Sequence, residues 1–138
     1  MTKLEWTKGL SVGIDLVDEQ HRQWIARYND AVDAIAANLG KDHIVKVLGF
    51  LVAYTDSHFA FEEERMAASG YPAMAIHREK HAELRETLAH LVRDFEEEGA
   101  TQPLAAAVET FLGNWLVQHI QSVDAAFGAF VREKGGPA

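Results

Sequence analysis

Apolar positions recur every three or four residues along nearly the whole chain, in four runs separated by breaks. After an irregular arm of about sixteen residues, Ile14, Val17, His21, Ile25, Tyr28, Val32 and Ile35 form the first stripe, and Gly40 offers a stop. From about Asp42 a second stripe passes through Ile44, Leu48, Leu51, Thr55, His58, Glu62 and Met66 to Gly70, where Tyr71-Pro72 enforces a break. A third runs through His77, His81, Leu84, Leu88, Leu91 and Phe95 and ends at Gly99 after an acidic stretch. Thr101 and Pro103 are helix-start residues, followed by Leu104, Val108, Phe111, Trp115, His119, Val123, Phe127 and Phe130 before a fraying tail, GGPA.

This pattern predicts an all-α fold: four long helices joined by short loops in an antiparallel up-down-up-down bundle, with an N-terminal irregular arm. No strand-like alternation competes with it. A length of 138 residues suits one domain, and neither a linker nor an internal repeat divides it. The expected organisation is a single domain over 1-138, with the arm at 1-16 and the bundle at about 17-133.

The stripes carry more than hydrocarbon. His21, His58, Glu62, His77, His81, His119 and Asp124 stand where an all-helical chain buries leucine. A lone inward histidine is usually a hydrogen-bonded core residue, and His43 and His90, without ligand-spaced partners, are read as surface residues. Pairs four apart differ, because such residues share a helix face and can point at one ion. His77 with His81, and His58 with Glu62, are such pairs. Without metal, the bundle would bury two carboxylates and five imidazoles, each unpaired group costing about 1–3 kcal/mol or more.

Imidazole with carboxylate, and no cysteine anywhere in the chain, suits iron, manganese or zinc. Seven ligands exceed what a single zinc needs. Two six-coordinate ions sharing both carboxylates and one bridging oxygen fit better. If three histidines complete one ion, the other has two histidines, five ligands and one vacancy for a small molecule.

The runs DEQH at 18 to 21, HFAFEE at 58 to 63, HREKH at 77 to 81 and WLVQHIQSVD at 115 to 124 resemble the hemerythrins, especially their single-domain bacterial members. The resemblance covers nearly the whole chain, and all seven family ligand positions hold the expected residue types. It implies two non-haem iron ions joined by an oxo or hydroxo bridge. His77, His81 and His119 would hold the filled iron, His21 and His58 the open one, and Glu62 and Asp124 would bridge them. It further implies reversible dioxygen binding at the open iron for storage, transport or delivery.

One spacing conflicts with a regular helix. His119 and Asp124 are five apart, which rotates them away from one another, so a wide turn or approach from opposite sides of the cluster is predicted. Trp24, Ile25, Phe59, Phe61, Trp115, Leu116 and Ile120 flank ligands in sequence and are expected to keep the site dry. Asp18, Gln20 and Gln118 are candidates to orient imidazoles, with solvated helix-face roles favoured for them.

An oxygen-binding protein rather than an enzyme is therefore expected. The competing readings are sensing of oxygen, nitric oxide or iron, and diiron oxidase chemistry. The latter is disfavoured because the chain contains no Glu-x-x-His motif of the ferritin-like sites. A net charge of -8 repels nucleic acid and anionic membrane. No stretch approaches about 18 uninterrupted apolar residues, and MTKLEWTKGL lacks a secretory core, so a cytoplasmic protein without a membrane span is expected. A monomer is the default, with the arm open to an unidentified protein partner.

Overall fold

In the computed structural model, which describes residues 3 to 134, four helical rods form the bundle and no strand occurs among the described residues. Helix α1 spans Asp15–Ala36, α2 Lys41–Ser69 and α3 Met74–Glu98. The fourth rod, α4, runs unbroken from 102 to 133 but changes pitch on the way. A short 3-10 turn, Lys8–Leu10, is the only regular element of the preceding arm among the described residues. The first helix thus begins two residues earlier than the expected bundle start at about 17, and the arm ends before Asp15 rather than at 16. The predicted fraying of GGPA falls outside the described residues.

Each helix end has a local cause. Asp18 in the first turn of α1 accepts the Val12 N–H at 2.8 Å and the Ser11 hydroxyl at 2.5 Å, tying the arm to the helix start. Helix α2 ends in a Schellman closure: the Tyr71 N–H donates to the Met66 carbonyl, the Gly70 N–H to that of Ala67, and Gly70 takes a φ of 67°. Pro72 then prevents continuation. At the start of α4 the Thr101 hydroxyl accepts the Leu104 N–H, with Pro103 in the first turn.

Two segments of α4, Ala107–Leu112 and His119–Asp124, are π-helical. Each wide turn takes in more residues than a regular one, so it shifts the buried face. The regular stripe predicted Phe111, Trp115 and Val123 inward. Instead Leu112, Leu116 and Ile120 are fully buried, Trp115 and Val123 are half-buried and Phe111 is exposed.

The main core gathers Tyr28, Ile44, Leu48, Leu88, Phe95, Val108 and Leu112 with their neighbours. A smaller cluster, Met66, Phe127 and Val131, closes the opposite end of the bundle. The polar stripe residues lie between the two along every helix. Helix α2 is long and apolar enough to cross a membrane by length and composition. It also carries the buried His58 and Glu62 and packs against both α1 and α3, as the core helix of a bundle does.

Candidate metal centre

All four helices deliver side chains to one buried layer. His21 comes from α1, His58 and Glu62 from α2, His77 and His81 from α3, His119 and Asp124 from α4; each is at most 3% exposed. Donor atoms of Glu62, His77, His81, His119 and Asp124 lie within 4.8 Å of one another, and so do those of His21, His58, Glu62 and Asp124. The two carboxylates belong to both groups. His43 and His90 are exposed, as expected.

The π segment His119–Asp124 is what makes the last pair possible. Five residues span one wide turn, so both side chains face inward, with His119 Nε2 3.1 Å from Asp124 Oδ1. The irregularity predicted from their spacing is therefore present.

Further approaches are equally close: His21 Nε2 is 2.8 Å from Asp124 Oδ2, His77 Nε2 is 2.9 Å from Asp124 Oδ1, and His81 Nε2 is 3.3 Å from Glu62 Oε1. Yet none has hydrogen-bond geometry: the Nε2 atoms of all five histidines and both oxygens of each carboxylate are buried without a hydrogen-bond partner. The lone pairs converge on shared points between the side chains rather than on one another. Neutral imidazole and carboxylate donors in that arrangement fit metal cations, which would satisfy every orphaned atom at once.

The electrostatics agree. Burial, and then the neighbouring Asp124, push the Glu62 carboxyl well above the usual carboxylate range. Burial also opposes the charge on Asp124, but His119, His21 and His77 outweigh it and hold that carboxyl well below its usual range. Burial, followed by nearby His21, drives His58 down to about 3, and burial with His119 and His77 drives His81 down to about 2. Burial works against protonated His77 too, but Asp124 and Glu62 overcome it and raise the group to about 9. Protons on Glu62 and His77 thus occupy the place of positive charge that cations would supply, and metal uptake would release them.

The ring surroundings are apolar. Trp24 lies 6.1 Å from His21 and 4.9 Å from His58, centroid to centroid. Phe59 stacks on His81 at 3.6 Å and 3°, and Trp115 on His119 at 4.4 Å and 12°. Ile25, Leu116 and Ile120 are buried, while Phe61 is half-buried beneath the Arg65 guanidinium. A groove of about 320 Å³ between α3 and α4 reaches His119 past Trp115. A larger groove of about 660 Å³, lined by Phe111 and Trp115, lies along α4 and touches none of the seven polar side chains. It marks where the first π segment turned Phe111 outward.

The suggested orienting residues divide. Gln20 accepts a hydrogen bond from Nδ1 of His58 at 2.7 Å, rather than from adjacent His21. Asp18 fixes the arm instead of an imidazole, and Gln118 is exposed. Sequence reasoning missed Glu63, which accepts from Nδ1 of His81 at 2.8 Å. Its signal was a second carboxylate next to Glu62, rotated by about 100° on α2 and so turned toward α3.

The family pattern described as the hemerythrin HHE cation binding domain matches residues 12–131. The chain belongs to the hemerythrin family. It is 35% identical over 135 residues to a bacteriohemerythrin of Pseudomonas aeruginosa and 33% identical over 132 residues to one of Stenotrophomonas maltophilia; each alignment covers 96% of this chain and 84% of the relative. A myohemerythrin of Sipunculus nudus is 29% identical, covering 86% of both chains. A crystal structure of wild-type hemerythrin superposes with a TM-score of 0.82 at 28% identity, over 94% of this chain and 98% of that one.

Proposed function

We propose that this chain, working as one domain with an arm ahead of α1, binds dioxygen reversibly at a pair of non-haem irons. The observation that carries this reading is the sorting of buried, partnerless donor atoms into two groups sharing Glu62 and Asp124. His77, His81 and His119 would complete one iron. His21 and His58 would hold the other with fewer donors, leaving room for a diatomic ligand. When bound, the iron pair supplies the electrons that dioxygen takes up and returns.

The chain's own residues make such uptake reversible. Trp24 packs against both histidines of the less crowded group, and with Phe59 and Ile120 it excludes water. Nδ1–H of His58 donates to Gln20, which leaves Nε2 unprotonated and aimed into the layer. Five imidazoles against two carboxylates donate less than a carboxylate-rich site, which favours carrying over oxidase chemistry.

Metal analysis of protein loaded anaerobically with ferrous iron tests the site, with about two irons per chain expected from the coordination argument. Exposure to air should then produce a visible charge-transfer band that disappears on purging with inert gas. Continuous oxygen consumption, or a band that never reverses, would replace the carrier with an oxidase or a one-way sensor.

A further inference from the structure

The two donor groups differ in how their histidines are held from behind. His21, His77 and His119 have no hydrogen-bond partner for Nδ1 among the described residues. Only His58 and His81 are fixed by side chains, and the acceptors differ in charge: the Gln20 amide 2.7 Å from one, the Glu63 carboxylate 2.8 Å from the other.

Glu63 is well placed to remain a strong acceptor. Its side chain is 19% exposed, with Arg78 Nε 3.5 Å and Arg85 Nη1 3.7 Å away to balance its charge. Arg85 is held in turn by Asp56 at 3.1 Å and lies over the Phe59 ring, which also stacks on His81. His81 is thereby fixed at its edge by Glu63 and on its face by Phe59. A carboxylate behind an imidazole draws its Nδ1 proton and makes Nε2 a stronger donor; a neutral amide orients the ring with less effect on its basicity.

We propose that Glu63 and Gln20 are positioning residues that make the two metal positions electronically unequal. The three-histidine position becomes the stronger donor and the more easily oxidised, while the two-histidine position stays the weaker one. This rests on the diiron reading of the same site.

Exchanging the acceptors tests it. Glu63→Gln keeps an oxygen acceptor but removes the charge, and Gln20→Glu does the reverse. Glu63→Gln should weaken metal affinity about tenfold and raise the midpoint potential, by about 59 mV if the oxidised metal loses tenfold more affinity than the reduced one. Gln20→Glu should lower the potential, and the double exchange should return it toward the parent value. In the zinc-loaded, diamagnetic protein, the Nδ1 proton of His81 should resonate further downfield than that of His58 and move upfield in Glu63→Gln. Shifts of the same sign in both single variants, or a His81 proton indifferent to Glu63→Gln, would overturn the proposal. An iron-loaded parent with two irons per chain and unchanged variants defeats this inference alone. A parent that takes up neither iron nor zinc defeats the diiron reading as well. Should Glu63→Gln fail to fold, Gln20→Glu and the parent zinc spectrum still decide.

Discussion

On α2, Ile44, Leu48 and Leu51 occupy the same buried stripe as His58 and Glu62, about two to five turns earlier. The same change occurs along α3, where His77 and His81 precede Leu84, Leu88 and Leu91. In the leucine-rich half, every buried side chain is satisfied by contact with its neighbours, and burial itself supplies the stabilisation. In the histidine layer, burial is a cost, and the residues approach within 3 Å without bonding. One half of the bundle is a core in its own right, and the other is shaped for something it must bind. A polar pair deeper in the core underlines the contrast: the Trp24 indole N–H donates to Thr55, whose hydroxyl donates to the Leu51 carbonyl, so nothing is left over.

Breaking the histidine layer should have the largest effect. Glu62→Ala removes a side chain common to both donor groups, so iron content should fall from two per chain to one or none. The stabilisation conferred by metal, about 4 kcal/mol when the free ion is at 1,000 times Kd, should vanish with it; metal analysis and melting with and without iron will show both. Leu48→Ala, in the apolar half, should cost about 2–5 kcal/mol in urea titrations, yet leave iron content and visible spectrum unchanged. If iron is lost there too, the two halves are not separable.

Gly128→Ala probes the small apolar cluster beyond the metal layer. An added Cβ would sit 2.0 Å from the Val12 carbonyl oxygen, so the arm must move off α4. A loss of about 1–3 kcal/mol is expected, with the arm more open to proteolysis.

Acidification should separate the halves most finely. His58 and His81 are held neutral when folded, at about 3 and about 2, so between pH 5.5 and 4.5 the unfolded chain binds about two protons more at these sites, while His77, held at about 9, is protonated in both states. Glu62, raised by burial, keeps one proton that the unfolded chain loses in the same window. Net, the unfolded state binds about one extra proton there, so metal-free protein should lose about 1.4 kcal/mol per pH unit on going down from 5.5. Denaturant midpoints across this window check the sign: midpoints that rise on acidification would refute the assignment of neutral histidines.

The all-α class, the four helical stripes, the stops at Gly70 and Gly99, and the seven polar intruders were legible in the chain because each rests on spacing within one helix; the stop expected at Gly40 was not, since α1 ends at Ala36 with Asn38 in the left-handed turn (φ 53°) and Gly40 instead precedes α2. So was the conflict between His119 and Asp124, since five residues cannot share a face at regular pitch. The sequence did not show that α4 widens twice. The first widening, at Ala107–Leu112, carries no polar marker, and it turned Phe111 out and Leu112 in. Likewise, Glu63 meeting His81 and Gln20 meeting His58 join residues on different helices, and only packing decides such encounters. Periodicity along a chain fixes which face a residue takes on its own helix. Which side chain meets it from the next helix depends on rotation, pitch and crossing of the packed rods, and those are settled only when the whole core closes.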